Sequence, residues 1–376
     1  MAALVNMRIA LCTDGVYPLA MGGMQRHSRS LAEHLARVPG IELVVIHPHS
    51  EVVFDPALGI QEVRVAPLDE ARTYLGELYR YSGRVAIALK GIRPNVILSQ
   101  GFCVWKDSAQ FRDRLIVMPH GLEMFQGLSL KDRAIGLPFR WALRRVVRRA
   151  SLVVSLGGKL TPMLQGLVQG SLTRVVVLPN ATELPEHAPT YPPSPGPLEL
   201  LFVGRFAFNK GIDVLMSVAE RLISEGKKDL VRFTLAGDGP ERAAMERRGI
   251  PANVVLAGRV DDARLDELFT AGHGLVLPTR FEGMPTVVLE AMARARPVIV
   301  SDVGASAELV DHSNGFLLPA GEPEALHRAI IALAGMDRDE RKRMGAAGRV
   351  KVEASFTWSA VTQRFVALCA EIAQRG

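Results

Sequence analysis

Short apolar runs alternate with amphipathic stretches along almost the whole of this 376-residue chain, and no other feature restricts its fold as strongly. Seven such runs lie within residues 1–180 and six within residues 198–355, and each is as short and apolar as a buried strand. Helical patterns separate several of them, for example Gln25 to Arg37 and Arg140 to Ala150. Strands joined by helical crossovers form parallel sheets, so the chain is predicted to be an α/β protein of Rossmann-like type.

A proline-rich segment separates the two series of strands. Prolines recur from Pro185 to Pro197, and a run of residues without backbone N–H groups excludes regular helix and central strand. At about 150 residues per domain, the length predicts two domains. We therefore expect a first domain over residues 1–180, a linker over 181–197, a second domain over 198–355 and a terminal amphipathic helix over 356–376.

Cysteine usage and hydropathy bear on the cellular compartment. Cys12, Cys103 and Cys369 lie far apart and match no metal-binding spacing, which is typical of free thiols in a reducing cytoplasm. Arg8 and Asp14 interrupt the apolar N-terminal residues, so these residues do not read as a secretory signal. No apolar run reaches the ~18 residues that a membrane span needs. A cytoplasmic location is expected.

Charge is distributed unevenly along the chain. Residues 1–180 contain 22 Lys and Arg against 13 Asp and Glu, whereas the remainder is slightly acidic. A basic half suggests an anionic partner, such as lipid head groups, a phosphorylated substrate or nucleic acid. A protein that merely has a high isoelectric point explains the excess equally well. Aromatic residues make up only 6% and are not interleaved with basic ones, so we expect no nucleic-acid partner.

One predicted helix concentrates this basic charge. Its apolar residues recur at helical spacing: Phe139, Ala142, Leu143, Val146, Val147 and Ala150. The opposite face carries five arginines and no acid: Arg140, Arg144, Arg145, Arg148 and Arg149. These arginines are either simply solvated or in contact with an anionic membrane, where each basic residue contributes about 1 kcal/mol. The second interpretation predicts peripheral association with the inner face of the plasma membrane.

Candidate site residues follow the predicted strands, because ligands of parallel sheets bind at the carboxyl ends of the strands. In the second domain Arg205 and Lys210 come after a strand ending at Val203. Gly204 and Gly211 lie beside them and leave space next to the backbone because they have no side chains. Two cations near one point can neutralise a leaving diphosphate, on which negative charge grows as its bond to a sugar breaks. Two solvated loop charges are the alternative interpretation.

Two acids eight residues apart mark a second candidate segment. Glu282 lies in a loop after an apolar run, and Glu290 lies in the helix that follows. Pro285 suits the first turn of that helix, where unpaired N–H groups can bind a phosphate. Apolar residues flank Glu290, so its carboxylate needs a partner, and the diol of a ribose would serve. A carboxylate on the helix surface is the alternative.

In the first domain, two motifs occupy comparable positions. Gly22 and Gly23 precede a predicted helix, where the backbone can approach a ligand closely and the helix N-terminus favours phosphate. His120 closes an apolar run at the carboxyl end of the predicted sheet. A flexible turn and a structural histidine are the alternatives for these two motifs.

The order of these motifs resembles that of one enzyme family. GG-x-Q-R, HG, G-R-x4-K-G, GDGP and E-x7-E follow one another as in the retaining glycosyltransferases of family four, which have the GT-B fold and include phosphatidylinositol mannosyltransferases and sucrose synthases. The resemblance covers essentially the whole chain. It implies two Rossmann-like parallel-sheet domains facing each other across a cleft, the first binding the acceptor and the second the nucleotide sugar. The terminal helix would cross back to the first domain.

The resemblance also implies roles for individual residues. Gly22 and Gly23 would lie near the donor phosphates and the acceptor, and His120 would contact the transferred sugar. Arg205 and Lys210 would bind the diphosphate, beside Gly204.

For the donor, the resemblance assigns a second group of residues. Glu282, with the backbone of Gly283, Met284 and Pro285, would hold the sugar hydroxyls. Glu290 would hold the ribose, and Val260 would lie beside the base.

No cofactor is expected, since the nucleotide sugar is itself the substrate. No catalytic metal is expected either, because Arg205 and Lys210 can neutralise the diphosphate and the resemblance agrees. Asp337 and Asp339 have the spacing of a metal-binding DxD motif, but they lie in a run of charges that reads as surface. UDP and GDP sugars both suit the family, and the acceptor is open, with lipid-linked, polysaccharide and glycoconjugate acceptors all plausible. The alternative function is that of a dinucleotide-dependent enzyme such as an oxidoreductase, although the chain contains no G-x-G-x-x-G.

Overall fold

A computed structural model of the chain describes residues 6–69, 71–126, 130–193 and 196–374, without the side chains of residues 130–133. The chain divides into two compact units. Unit 1 comprises Met1–Asn180 together with Trp358–Gly376, and unit 2 comprises Ala181–Thr357. The predicted linker falls within unit 2, except that its residues 194 and 195 lie outside the described residues.

Unit 1 is built on a seven-stranded sheet. Its strands are β1 (Met7–Cys12), β2 (Ile41–His47), β3 (Gln61–Arg64), β4 (Val96–Gln100), β5 (Leu115–Met118), β6 (Leu152–Ser155) and β7 (Arg174–Val177). All neighbours are parallel, in the order β3-β2-β1-β4-β5-β6-β7. The order of the strands reverses between β1 and β4, the kind of position at which open parallel sheets bind ligands. Ile9 marks it, since it pairs with Leu43 on one side and Val96 on the other.

Among the residues of unit 1 that the structure describes, four α-helices follow the strands: α1 (Gly23–Ala36), α2 (Tyr74–Ile92), α3 (Leu130–Val147) and α4 (Leu160–Val168). Leu31 and Leu35 of α1 are buried, four residues apart on one face, which is why this segment forms an amphipathic helix. All residues of β4 and β5 are buried, as expected for central strands covered on both faces.

Unit 2 contains a six-stranded sheet. Its strands are β8 (Leu198–Val203), β9 (Val231–Ala236), β10 (Val254–Gly258), β11 (Gly274–Leu277), β12 (Val298–Ser301) and β13 (Gly315–Leu318). All neighbours are again parallel, in the order β10-β9-β8-β11-β12-β13. The order reverses between β8 and β11. The two sheets confirm the predicted α/β architecture with a parallel sheet in each half of the chain.

The described part of unit 2 contains seven α-helices: α5 (Ile212–Ser224), α6 (Arg242–Arg248), α7 (Asp262–Ala271), α8 (Thr286–Ala293), α9 (Ser306–Leu309), α10 (Pro323–Gly335) and α11 (Arg338–Ser355). Asp337 caps α11, accepting the backbone N–H of Glu340 at 2.7 Å while Glu340 accepts the N–H of Asp337 at 2.8 Å. The first acid of the DxD spacing therefore has a structural role.

The terminal helix α12 (Trp358–Ala373) is part of unit 1 and packs on α1. Val361, Phe365, Cys369 and Ile372 are buried on one face of α12, so hydrophobic burial attaches it to the unit. Among the helices that the structure describes, none is long and apolar enough to cross a membrane.

Arginine side chains attach the proline-rich segment to the rest of unit 2. The guanidinium of Arg296 donates to the carbonyl of Thr190 at 3.1 Å, and that of Arg338 donates to the carbonyl of Tyr191 at 2.7 Å. The phenol of Tyr191 donates to the carbonyl of His273 at 2.8 Å. A segment rich in proline forms no regular helix or strand, so its carbonyl oxygens lack the usual backbone N–H donors. Arginine side chains, with five N–H donors each, can hydrogen-bond to these carbonyls instead.

Candidate functional site

In unit 2, the loop after β8 carries two of the predicted cations. Phe206 is fully buried and anchors this loop, while Arg205 before it is exposed. Lys210 lies at the far end and forms an ion pair with Glu282. Arg205 has no ion pair among the residues that the structure describes, so a cationic group is left available at the carboxyl end of β8.

Glycines let the loop after β9 close against the loop after β8. A Cβ at Gly237 would lie 1.9 Å from the carbonyl oxygen of Gly204, and one at Gly239 would lie 2.3 Å from that of Phe206. The N–H of Phe206 donates to the carbonyl of Asp238 at 2.9 Å. The GDGP motif therefore supports the loop that carries Arg205, because any larger residue would push the two backbones apart.

The loop after β11 carries Glu282 and is joined to the loop after β8. The hydroxyl of Thr279 and the N–H of Arg280 both donate to the carbonyl of Asn209, at 2.9 and 2.8 Å. The guanidinium of Arg280 forms two bonds to Asp213, at 2.6 and 2.7 Å, and lies 4.0 Å from the ring centre of Phe208. These contacts fix Glu282 beside Lys210.

Two further glycines permit close approach at this loop. Gly211 has φ +67°, and a Cβ there would lie 1.8 Å from the carbonyl oxygen of Pro278. Gly304, after β12, has φ +54°, and a Cβ there would lie 2.2 Å from the carbonyl oxygen of Glu282. Both positions require glycine for conformation and for space.

Past Glu282 the chain enters α8. Gly283 and Met284 lead to Pro285, which occupies the N-cap position rather than the first helical turn. Glu290 is half-buried one turn into α8, where its neighbours Leu289 and Ala291 are buried. The loops after β8 and β11 thus carry two cations, Arg205 and Lys210, and one acid, Glu282. The N-terminus of α8 follows the second loop.

Val260 lies apart from this group, after the edge strand β10. It is half-buried and lines a shallow cavity of about 480 Å³ together with Arg259 and Asp261. Among the described residues that line this cavity, none belongs to the loops that carry Lys210 and Glu282.

In unit 1, the glycine pair follows β1. A Cβ at Gly22 would lie 2.2 Å from the amide oxygen of Gln25, whereas a Cβ at Gly23 would meet nothing within 4 Å. Gly23 begins α1, so open space lies at the start of this helix. Such space suits a ligand that approaches the backbone N–H groups.

His120 lies beyond β5 in an unusual conformation. Its φ is +58°, and the N–H of Gly121 donates to the carbonyl of Pro119 at 2.7 Å, which closes a three-residue γ-turn. Its ring nitrogen Nε2 is hydrogen-bonded to Gln100 at the end of β4. Burial, with a smaller contribution from His27, holds the pKa of His120 well below its usual value, so the ring is neutral.

Three residues that the sequence did not single out lie near candidate residues, two of them in unit 1 and one in unit 2. His27 in α1 contacts the His120 ring, and Arg280 joins two loops of unit 2. Asp14, just after β1, is half-buried and accepts a hydrogen bond from the Gln25 amide at 3.3 Å, and burial raises the pKa of Asp14. Asp14 had a signal in the sequence, since it directly follows a strand, whereas His27 and Arg280 resemble ordinary helix and loop residues.

The basic helix differs from its prediction in part. Its apolar face is buried as expected, with Phe139 half-buried and the others fully buried: Ala142, Leu143, Val146, Val147 and Ala150. The helix ends at Val147, and so Arg148 and Arg149 lie beyond it.

The five arginines do not form one free surface. Arg140 donates to the carbonyl of Met124 at 2.5 Å, and Arg148 donates to the carbonyls of Gln169 and Gly170. Arg144 and Arg145 are exposed. Two of the five arginines, Arg140 and Arg148, are thus hydrogen-bonded to backbone carbonyls outside α3. Sequence periodicity alone does not predict such bonds.

Two family models match the chain. One, described as Glycosyltransferase Family 4, matches residues 21–184, and the other, described as Glycosyl transferases group 1, matches residues 197–335. Together they cover the candidate site residues of both units.

Individual proteins resemble the chain at lower identity. The alpha-D-kanosaminyltransferase of Streptomyces kanamyceticus is 27% identical over 260 residues, which is 65% of this chain and 66% of that protein. The sucrose-phosphate synthase of Thermosynechococcus elongatus matches with a TM-score of 0.81 at 20% identity, over 98% of this chain and 100% of its own. Anabaena HepE in complex with UDP-glucose matches with a TM-score of 0.70 at 17% identity, over 97% and 100%. The two structural likenesses show a shared fold.

Proposed function

The chain belongs to the glycosyltransferases that these two family models describe, and we propose that it moves a sugar from a nucleoside diphosphate to an acceptor hydroxyl with retention at the anomeric carbon and without a metal ion. The observation that carries the proposal is the joining of the Lys210 loop to the Glu282 loop at the carboxyl ends of β8 and β11.

In this proposal unit 2 binds the donor. Lys210 and Arg205 neutralise the diphosphate, and Glu282, with the backbone of residues 283–285, holds the sugar hydroxyls. Glu290 accepts hydrogen bonds from the ribose diol. Val260 borders the base.

The acceptor side of the proposal rests on unit 1. In this proposal His120 contacts the transferred sugar, and Gly22 and Gly23 are assigned to the donor phosphates and the acceptor. The open space beside Gly23 supports that assignment. As the bond between the anomeric carbon and the phosphate oxygen breaks, the acceptor oxygen bonds to that carbon on the same face. The leaving diphosphate takes the acceptor proton, so no nucleophile of the enzyme is assigned.

Ligand binding and product stereochemistry test this function. Of UDP, GDP, ADP, NAD and a short oligonucleotide, UDP or GDP should raise the melting temperature most, because binding to the folded state stabilises it. With the matching nucleotide sugar, turnover should persist in EDTA, and proton NMR should show the donor's anomeric configuration in the product. Stabilisation by NAD alone, an inverted product, or activity lost in EDTA and restored by Mn²⁺ would contradict the proposal.

We also propose that unit 1 associates with anionic membranes through the exposed face of α3. Leu137 and Trp141 are 59% and 60% exposed there, next to Arg144 and Arg145. The Arg145 guanidinium lies 5.6 Å from the ring centre of Trp141. Tryptophan and arginine side by side suit the interface between lipid head groups and acyl chains. An acceptor carried by lipid would be within reach of such a surface.

Flotation with vesicles tests the membrane proposal. The protein should float with phosphatidylglycerol-containing vesicles at low salt and less so at high salt, because exposed charges are screened. Changing Arg144 and Arg145 to Gln should weaken flotation. The matched control changes Arg247 and Arg248 to Gln, two exposed neighbours at the end of α6. If the parent ignores anionic vesicles at low salt, the surface is only solvated.

A further inference from the structure

His27 is a buried histidine of α1. It is 5% exposed, and neither ring nitrogen has a partner among the residues that the structure describes. Buried polar atoms are nearly always paired, so an exception of this kind needs an explanation. Burial lowers the pKa of His27 to about 4, so the ring is neutral near pH 7. The neutral His27 ring therefore interacts with its neighbours mainly through its flat shape.

The surroundings include a strained residue. His120 is the central residue of the γ-turn from Pro119 to Gly121, with φ at +58°, a region that side chains other than glycine rarely adopt. Such a conformation persists only where neighbouring groups determine it. Two neighbours meet the His120 ring: Gln100 bonds Nε2, and the ring of His27 stands 4.9 Å away at 73°.

His27 also contacts the ring of Trp358. The Trp358 ring lies 5.3 Å from the His27 ring, tilted by 50°, and Trp358 is itself buried. His34, two turns further along α1, stacks on Trp358 at 5.3 Å and 19°. Trp358 is the first residue of α12 and the first after the boundary between the units. Ring contacts therefore link Trp358, at the start of α12, through His27 to His120 in the strained turn.

We propose that His27 is a positioning residue whose ring, braced by Trp358, holds His120 in the strained turn from which it contacts the transferred sugar. The inference rests on the proposed function for the role of His120, but the contact itself does not. Since the nitrogens of His27 are unpaired, replacing them with carbon costs no hydrogen bond, and the presence of a flat ring is the property to test.

Two variants separate the ring from its volume. His27→Phe keeps a flat ring, whereas His27→Leu fills the space without one, and neither leaves a polar atom unpaired. The matched control is His34→Leu, because His34 stacks on Trp358 from the same helix, two turns away from His27. Hydrolysis of UDP-glucose and GDP-mannose without acceptor measures turnover, melting temperatures report folding, and ring-nitrogen NMR reports the His120 side chain.

His27→Leu should lower kcat by about 10-fold or more, because small misplacements of a reacting group are costly, while KM for the donor changes little. Its melting temperature should stay near that of the parent, and the His120 ring signals should shift. His27→Phe should restore turnover and the His120 signals, and His34→Leu should leave both unchanged.

Parallel measurements on His120→Ala separate the two levels of the proposal. If His120→Ala is inactive and His27→Leu turns over like the parent, the positioning role is wrong and the function stands. If His120→Ala is fully active, the sugar contact fails, and the NMR signals alone decide whether His27 holds the ring. Equal losses in His27→Leu and His27→Phe, without a shift of the His120 signals, would also overturn the inference.

Discussion

Lys210→Ala should slow sugar transfer by about 10²-fold or more, because negative charge on the diphosphate is greatest in the transition state and a preorganised cation acts there. Donor affinity should change much less. In the free protein Lys210 is paired with Glu282, so the contact it gains with the donor replaces an ion pair it already has. Steady-state kcat and KM, with nucleotide Kd by calorimetry, measure the difference.

Lys227→Ala is the matched control for this change, since it also removes a lysine from an ion pair with a glutamate in unit 2, in this case Glu225. It should leave kcat unaltered. Arg205→Ala should behave like Lys210→Ala, although Arg205 starts without an ion pair among the described residues. If Lys210→Ala raised KM alone and left kcat intact, the lysine would bind ground state and transition state equally, and its catalytic role would be refuted.

Glu290→Ala should mainly weaken binding of the nucleoside diphosphate. A carboxylate that accepts hydrogen bonds from a ribose diol contributes about 1.5–3 kcal/mol, so Kd should rise by roughly 10-fold or more. These hydrogen bonds are alike in ground and transition states, and so kcat at saturating donor should change little. Calorimetric titration with the diphosphate that most raises the melting temperature makes the measurement.

Glu324→Ala provides the comparison for Glu290→Ala, because Glu324 is an exposed glutamate in the first turn of another helix, α10. It should bind nucleotide as the parent does. Unchanged Kd in Glu290→Ala would show that the carboxylate lies on the helix surface without contacting the ribose.

The sheets could be predicted from the sequence because their signal is local. Seven and six apolar runs were expected to form strands, and the structure has sheets of seven and six strands. A strand buried on both faces is apolar along its whole length, so a continuous apolar run in the sequence indicates a buried strand. The helix after Gly23 and the terminal helix were equally clear, since their apolar faces repeat at helical spacing.

The five arginines between residues 140 and 149 show which contacts a local pattern does not predict. The spacing of the apolar residues predicted that their face is buried. Which arginines are hydrogen-bonded depends on carbonyls elsewhere in the fold, such as that of Gln169, which accepts from Arg148. The proline-rich segment is a second case. Its composition excluded regular structure, yet its attachment depends on Arg296, which lies 106 residues beyond Thr190.

The amino-acid sequence by itself determined the class of fold, and it singled out Gly211, one of the positions where a close approach requires glycine. Tertiary structure alone decided which groups meet. Lys210 and Glu282 are 72 residues apart in the chain, and the Gln25 amide in the first turn of α1 donates to Asp14, 11 residues earlier. The physical reason is that side-chain periodicity reports burial, whereas contacts between distant residues depend on strand order, which periodicity does not encode.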